Sequence, residues 1–132
     1  MTSTLVLDSE GLAQAVMRRR EVQEWLEAAH RGDIPVITSA AVLVEVIHPK
    51  IDEAALRWTL SRLRVESMTQ SVAQTAADLL FRAGRHGHKY AIDAMLCATA
   101  IQCRGDVTIL TSDTEDIGLL TAEHARISVE KV

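Results

Sequence analysis

Thr4-Leu5-Val6-Leu7-Asp8 decides how the rest of this sequence is read. The run is short, apolar and of β type, and an acid follows it at once. A continuous apolar strand is one covered on both faces, the mark of a parallel sheet between layers of helix. Ile34-Pro35-Val36-Ile37 and Val107-Thr108-Ile109-Leu110 repeat the pattern. Arg64-Val65-Glu66-Ser67 and Ile127-Ser128-Val129 repeat it more weakly. Longer helical stretches lie between. Residues 9–30 read helical, in one piece or two, and Gly32-Asp33 stops them. A helix capped by Thr38 or Ser39 ends before Pro49. Residues 52–63 carry Leu56, Leu60 and Leu63 at helical spacing, and residues 69–85 carry Val72, Ala76, Leu79 and Ala83. Gly84 and Gly87 predict a loop, and residues 90–102 a helix apolar nearly all round and hence buried on most sides. Residues 113–122 form a last, short helix. The alternation predicts an α/β fold whose ligands sit beyond the carboxyl ends of the strands.

The 132 residues suit one domain spanning 1–132, large enough to fold without staples. Apolar residues make up 48%, which argues against disorder. Trp25, Trp58, Phe81 and Tyr90 are the only Phe, Trp or Tyr residues, so the core is aliphatic, and their scarcity speaks against a multi-aromatic base-stacking sheet. A net charge of −4 speaks against coating nucleic acid by bulk electrostatics. It leaves room for a nuclease, because clustered site acids lower the total. Cys97 and Cys103 have neither the spacing of a metal or redox pair nor a histidine at hand, and read as buried thiols of a reducing compartment. The stretch Met1–Leu7 shows no leader pattern, and no apolar run is long enough to span a membrane. The expectation is a cytoplasmic protein.

Four acids stand out. Asp8 and Asp113 each follow a strand directly. Glu45 and Asp93 are single acids in otherwise apolar helical runs, Val42-Leu43-Val44-Glu45-Val46 and Ala91-Ile92-Asp93-Ala94-Met95. Each has a plainer reading. Asp8 and Asp113 suit helix N-caps, with Ser112 and Glu115 at capping-box spacing. Glu45 suits a solvent-facing position, and Asp93 a first-turn acid favoured by the helix dipole. The joint pattern outweighs each member, since these positions converge on one sheet edge. Carboxylates brought together repel and partly protonate unless a cation balances them. A hard divalent ion such as Mg²⁺ takes a few carboxylates and keeps room for a phosphate. The chemistry implied is hydrolysis of a phosphodiester by a metal-activated water. Ser9, Ser112 and Asp116 adjoin these acids and are candidates to support them. Arg82, Arg85 and Lys89, with His86 and His88, lead into Asp93 and suit a phosphate backbone. Arg18-Arg19-Arg20 reads as a solvated face.

Taken in order, these segments resemble a PIN-domain ribonuclease, most closely the VapC-type toxins of bacterial type II toxin–antitoxin pairs. The resemblance rests on Leu5-Val6-Leu7-Asp8-Ser9, on Ala41-Val42-Leu43-Val44-Glu45-Val46, on Ala91-Ile92-Asp93-Ala94-Met95-Leu96-Cys97-Ala98-Thr99-Ala100 and on Thr111-Ser112-Asp113. Asp116 matches a further acid common in the family. The resemblance implies a five-stranded parallel sheet in the order 3-2-1-4-5, with Asp8, Glu45, Asp93 and Asp113 as catalytic and metal-holding residues. It implies an endoribonuclease dependent on Mg²⁺ or Mn²⁺, with tRNA or rRNA among its targets. It also implies a cognate antitoxin and a homodimer. Two features depart from the pattern. Ser9-Glu10-Gly11 replaces the usual small-residue run, adding an acid and weakening the helix start. Residues 18–33 are more polar than a tightly packed dimer face. Two other readings compete. A haloacid-dehalogenase-type phosphatase needs a second aspartate two residues after the first, where Glu10 stands. A catalytically inactive PIN-like module that binds RNA or protein would be free to lose the acids that are all present here.

Overall fold

β1 (Ser3–Leu7) is the central strand of the sheet, and its Leu5, Val6 and Leu7 are almost wholly shielded from solvent. A computed structural model describes residues 3–132; Met1 and Thr2, where the one-domain and leader readings begin, lie outside the described residues. After β1 come α1 (Ser9–Val16), α2 (Arg20–Arg31), β2 (Val36–Ser39), α3 (Val42–Val46), α4 (Glu53–Ser61) and β3 (Arg64–Glu66). Then follow α5 (Gln70–Ala83), α6 (Gly87–Gln102), β4 (Asp106–Thr111), α7 (Thr114–Leu120) and β5 (Ile127–Lys131). All strand pairs are parallel, in the order β3-β2-β1-β4-β5. Both the α/β class and the strand order are those expected.

The register does the work of positioning. Leu7 lies beside Leu110, and the Asp8 N–H donates to the Leu110 carbonyl at 3.2 Å. Asp8 and the turn after Thr111 therefore leave the sheet at the same edge. This is also where strand order reverses, between β1 and β4. α1 packs on α2, α3 and α4, whereas α5, α6 and α7 pack on one another. The core between them is aliphatic, with Leu7, Leu12, Ile37, Leu96, Ile109 and Leu110 essentially inaccessible. Burying each such side chain contributes about 1.5–3 kcal/mol.

Caps account for most helix boundaries. Asp8, Asp52, Thr69 and Asp113 each accept a backbone N–H from the first turn of α1, α4, α5 and α7. The long stretch 9–30 breaks at Arg18, whose φ of 57° is left-handed, so it is two helices.

Two expectations need correction. The helix after β2 does end before Pro49, but Thr38 and Ser39 do not cap it. They complete β2, where the Thr38 hydroxyl donates to the Leu7 carbonyl at 2.7 Å. The helix that follows has only five residues and ends at Ile47, which is extended. Pro49 holds the chain before it out of helical conformation. The loop predicted from Gly84 to Gly87 is also shorter. Gly84, at φ 64°, terminates α5, but Gly87 already belongs to α6.

Candidate active site

Asp8 is the most buried acid, with only 6% of its surface exposed. Its Oδ1 accepts the Gly11 N–H at 2.8 Å, which makes it the cap of α1. Burial pushes its carboxyl above the ordinary range. The N–H groups of Gly11 and Glu10 and the facing Thr111 hydroxyl pull it back down in part. Thr111 is wholly buried, and its Oγ1 also accepts the Asp113 N–H at 2.9 Å. One hydroxyl thus ties the acid after β1 to the acid after β4.

Asp113 caps α7 through Oδ1, which accepts the Asp116 N–H at 3.0 Å. The plain capping reading and the site reading hold together for Asp8 and Asp113: one oxygen of each serves the helix. Glu45 projects from α3 and is exposed, and the Ser9 hydroxyl donates to its Oε1. Asp93 lies on the second turn of α6, half-buried. Its carboxyl is pushed up to about 6, first by burial and then by the negative charges of Glu45, Asp8, Asp113 and Asp116. The same five acids are thereby placed in one another's field. Asp116 is also raised, by desolvation and by Asp113, and Arg85 offsets part of this.

The donor set is all carboxylate oxygen, the chemistry of a hard divalent cation. Among the described residues, however, no three His, Cys, Asp or Glu side chains close around one point. Three of the acids keep one oxygen on a partner within the chain: Asp8 on Gly11, Glu45 on Ser9 and Asp113 on Asp116. The set fits such an ion in charge and donor type, and closing on it would draw the acids together.

The other candidates separate. Ser9 does support an acid, Glu45. Ser112 is exposed, and the bridging role belongs to Thr111 instead. Arg82 is held by Asp78 and Glu123, each at 3.1 Å. Arg85 lies near Asp116, and Arg85 and Lys89 flank Tyr90. Arg18 stands over the Trp58 ring at 4.9 Å, with Arg62 at 5.3 Å. Trp58 and Arg62 line a hollow of about 500 Å³ between α2 and α4, by the start of β2 and away from the four site acids. Cys97 is buried near Asp93 and Asp8, and burial above all keeps its thiol protonated and inert.

Sequence reasoning missed Thr111 and misread Gly11. A threonine closing a buried strand two residues before an acid was the available signal for the first. A side chain on Gly11 would place its Cβ 2.9 Å from the Leu110 carbonyl oxygen. Gly11 is therefore what lets α1 approach β4, and the signal was a glycine in the first turn of a helix against its propensity.

The sheet order and the acid edge define a parallel α/β domain with a group of acids at its switch point. The PIN domain family model matches residues 5–117, and the chain belongs to that family. No curated protein matches the sequence. Solved structures share the fold along the whole chain. A toxin–antitoxin complex from Klebsiella pneumoniae matches with a TM-score of 0.70 and 21% identity, covering 98% of this chain and 100% of that one. VapBC2 from Rickettsia felis, bound to a DNA fragment from its promoter, matches at 0.69 and 15%, covering 98% of each chain. FitAcB from Neisseria gonorrhoeae matches at 0.67 and 20%, covering 96% of each. Among the described residues, no helix is long and apolar enough to cross a membrane.

Proposed function

We propose that this protein is an endoribonuclease dependent on Mg²⁺ or Mn²⁺, acting in the cytoplasm as the toxin of a toxin–antitoxin pair. The observation that carries the reading is the setting of Asp93, half-buried, its carboxyl raised first by that burial and then by four other acids, Asp8 after β1, Glu45 on α3, and Asp113 and Asp116 at the start of α7. A fold that gathers such repulsion at its ligand-binding edge has a use for a cation there. Asp8, Glu45, Asp93 and Asp113 would hold the ion, with Asp116 beside them. When bound, it supplies charge neutralisation for a phosphodiester and a more acidic water.

The chain's own residues do the rest. Thr111 keeps Asp8 and Asp113 in register, and Ser9 orients Glu45. Arg85 and Lys89 offer cations to the RNA backbone at the rim, whereas Arg82 is committed to ion pairs. An antitoxin that masks the cleft fits the like-folded structures described as toxin–antitoxin complexes. A homodimer is the form in which we expect the protein to act, and tRNA or rRNA its target.

The test is induced expression in a bacterium beside Asp8→Ala, with RNA 5′ ends mapped afterwards. Growth arrest with discrete new ends, absent in the variant, supports the reading. RNA cleaved equally by the variant overturns it. One observation favours a non-catalytic binding module, namely that among the described residues no three acids close around a point. Mn²⁺ titration decides between them: a metal-binding site raises the melting temperature, and a module without one leaves it unmoved.

A further inference from the structure

Thr38, Thr59, Thr99 and Thr121 are buried, and each hydroxyl donates to a backbone carbonyl. Buried Thr111 accepts the Asp113 N–H. Thr4, on β1, is only 7% exposed, yet alone of the buried threonines it makes no side-chain hydrogen bond among the described residues. A hydroxyl sealed away without a partner is costly. Thr4 is not sealed, because among the described residues every fully enclosed side-chain nitrogen or oxygen has a partner. Its oxygen opens into a hollow of about 540 Å³ that it lines.

This hollow lies at the amino ends of β1, β2 and β3, the opposite end of the sheet from the acids. The start of α5 and the end of α6 close its other side. Donors and positive charge gather around it. Arg64 and Glu66 stand two apart on β3 and share a face. Their ion pair, at 2.6 Å, uses the Arg64 Nε and leaves the two terminal nitrogens for another oxygen. Glu66 is the one carboxylate in the lining, and Arg64 balances it. Arg104 also lines the hollow and forms no ion pair among the described residues. Thr69 and Val72 bring in the first turn of α5, the positive end of that helix, and no acid stands in the turn. Pro35 and Val72 add apolar surface. Water would satisfy the Thr4 hydroxyl, but it has no need of two guanidiniums and an uncountered helix start. A phosphate dianion uses all of them.

We propose that this hollow is a second binding site, for a small phosphate monoester. Its phosphate sits between Arg64 and Arg104 over the start of α5, the Thr4 hydroxyl donates to it from the floor, and its organic part lies against Pro35 and Val72. The site is independent of the ribonuclease reading.

The full chain is tested in EDTA with adenosine 5′-monophosphate as the probe and adenosine as its uncharged control. The readout is alkylation of Cys103, which lines the hollow half-buried, whereas Cys97 is wholly buried and stays silent. The monophosphate should slow alkylation of Cys103 to a saturable limit, and adenosine should not. Arg104→Gln and Thr4→Val should each weaken that protection about tenfold, the loss of one hydrogen bond to a charged group. Thr4→Val should melt no lower than the parent, since the lost hydroxyl bonds nothing in the chain. Equal alkylation with and without the monophosphate overturns the site and leaves a water-filled hollow. Equal protection by adenosine overturns the phosphate chemistry. Protection undiminished in Arg104→Gln, an exposed position, overturns the placement.

Discussion

At its carboxyl end α6 is tied down by Arg126, whose guanidinium donates to the carbonyls of Ile101, Cys103 and Gly105. In its amino-terminal half, Asp93 stands half-buried among like charges. The first arrangement supplies a cation and hydrogen-bond donors to carbonyls left over at a helix end, where the dipole is negative. The second leaves a charge in a place that disfavours it. One helix thus carries a point of high local stability and a point of deficit. The deficit lies at the edge where parallel α/β sheets bind ligands, and on the proposed reading a cation there would offset it.

The comparison breaks first on activity. Asp93→Asn should lower RNA cleavage at least about a hundredfold, the rate equivalent of the several kcal/mol a metal contributes. It should not unfold the chain. A variant that cleaves at the parent rate in a single-turnover assay removes Asp93 from the site. At the other end, Arg126→Met should cost about 2–3 kcal/mol in urea unfolding, because carbonyls lose charged donors. Cleavage per folded molecule should stay constant. An unchanged urea midpoint would mean that the clamp contributes nothing.

Gly11→Ala should cost about 2 kcal/mol, since the new Cβ meets the Leu110 carbonyl oxygen, a backbone atom with little room to yield. Because Gly11 also bonds Asp8, this variant should lose cleavage as well as stability, unlike Arg126→Met.

The smallest expected effect is a pH dependence of the metal-free protein. Asp93 has a folded-state pKa of about 6, above its ordinary value of 3.8. The native state therefore takes up a proton before the unfolded state does, and stability rises as pH falls through 6 towards 4. The penalty is fully present above that window. Allowing for solvent screening of this half-buried group, the gain is about 1 kcal/mol. Asp93→Asn should show most of that gain already at pH 7 and flatten the profile, whereas Arg126→Met should keep its slope. A parent profile that falls between pH 7 and 5 contradicts the Asp93 assignment.

The parallel sheet was legible because runs such as Leu5-Val6-Leu7 leave no face for water. The acids were legible because a lone carboxylate in an apolar run, such as Asp93, needs a reason. What stayed hidden depends on neighbours distant in sequence. Thr111 gains its role by facing Asp8, and Gly11 by meeting Leu110. Neither partner is visible in a local window. Thr38 and Ser39 misled for a related cause: a hydroxyl that caps a helix also satisfies a strand carbonyl, and only the position of Leu7 decides which. Arg82 belonged by sequence with Arg85 and Lys89, but its place on α5 gives it to Asp78 and Glu123.

The pairing of β1 with β4 also sets a clock. Asp8 directly follows β1, whereas Thr111 ends β4 and Asp113 follows it, roughly a hundred residues later in synthesis. At about 5–20 residues per second, some 5–20 s separate them on the ribosome. Throughout that interval β1 lacks the neighbour that completes the cleft, and closing so long a loop is itself slow. A nascent chain carries Asp8, Glu45 and finally Asp93 without any means of assembling them. On the ribonuclease reading proposed above, the chain is thereby inert while it is still attached to the RNA-rich machine that makes it.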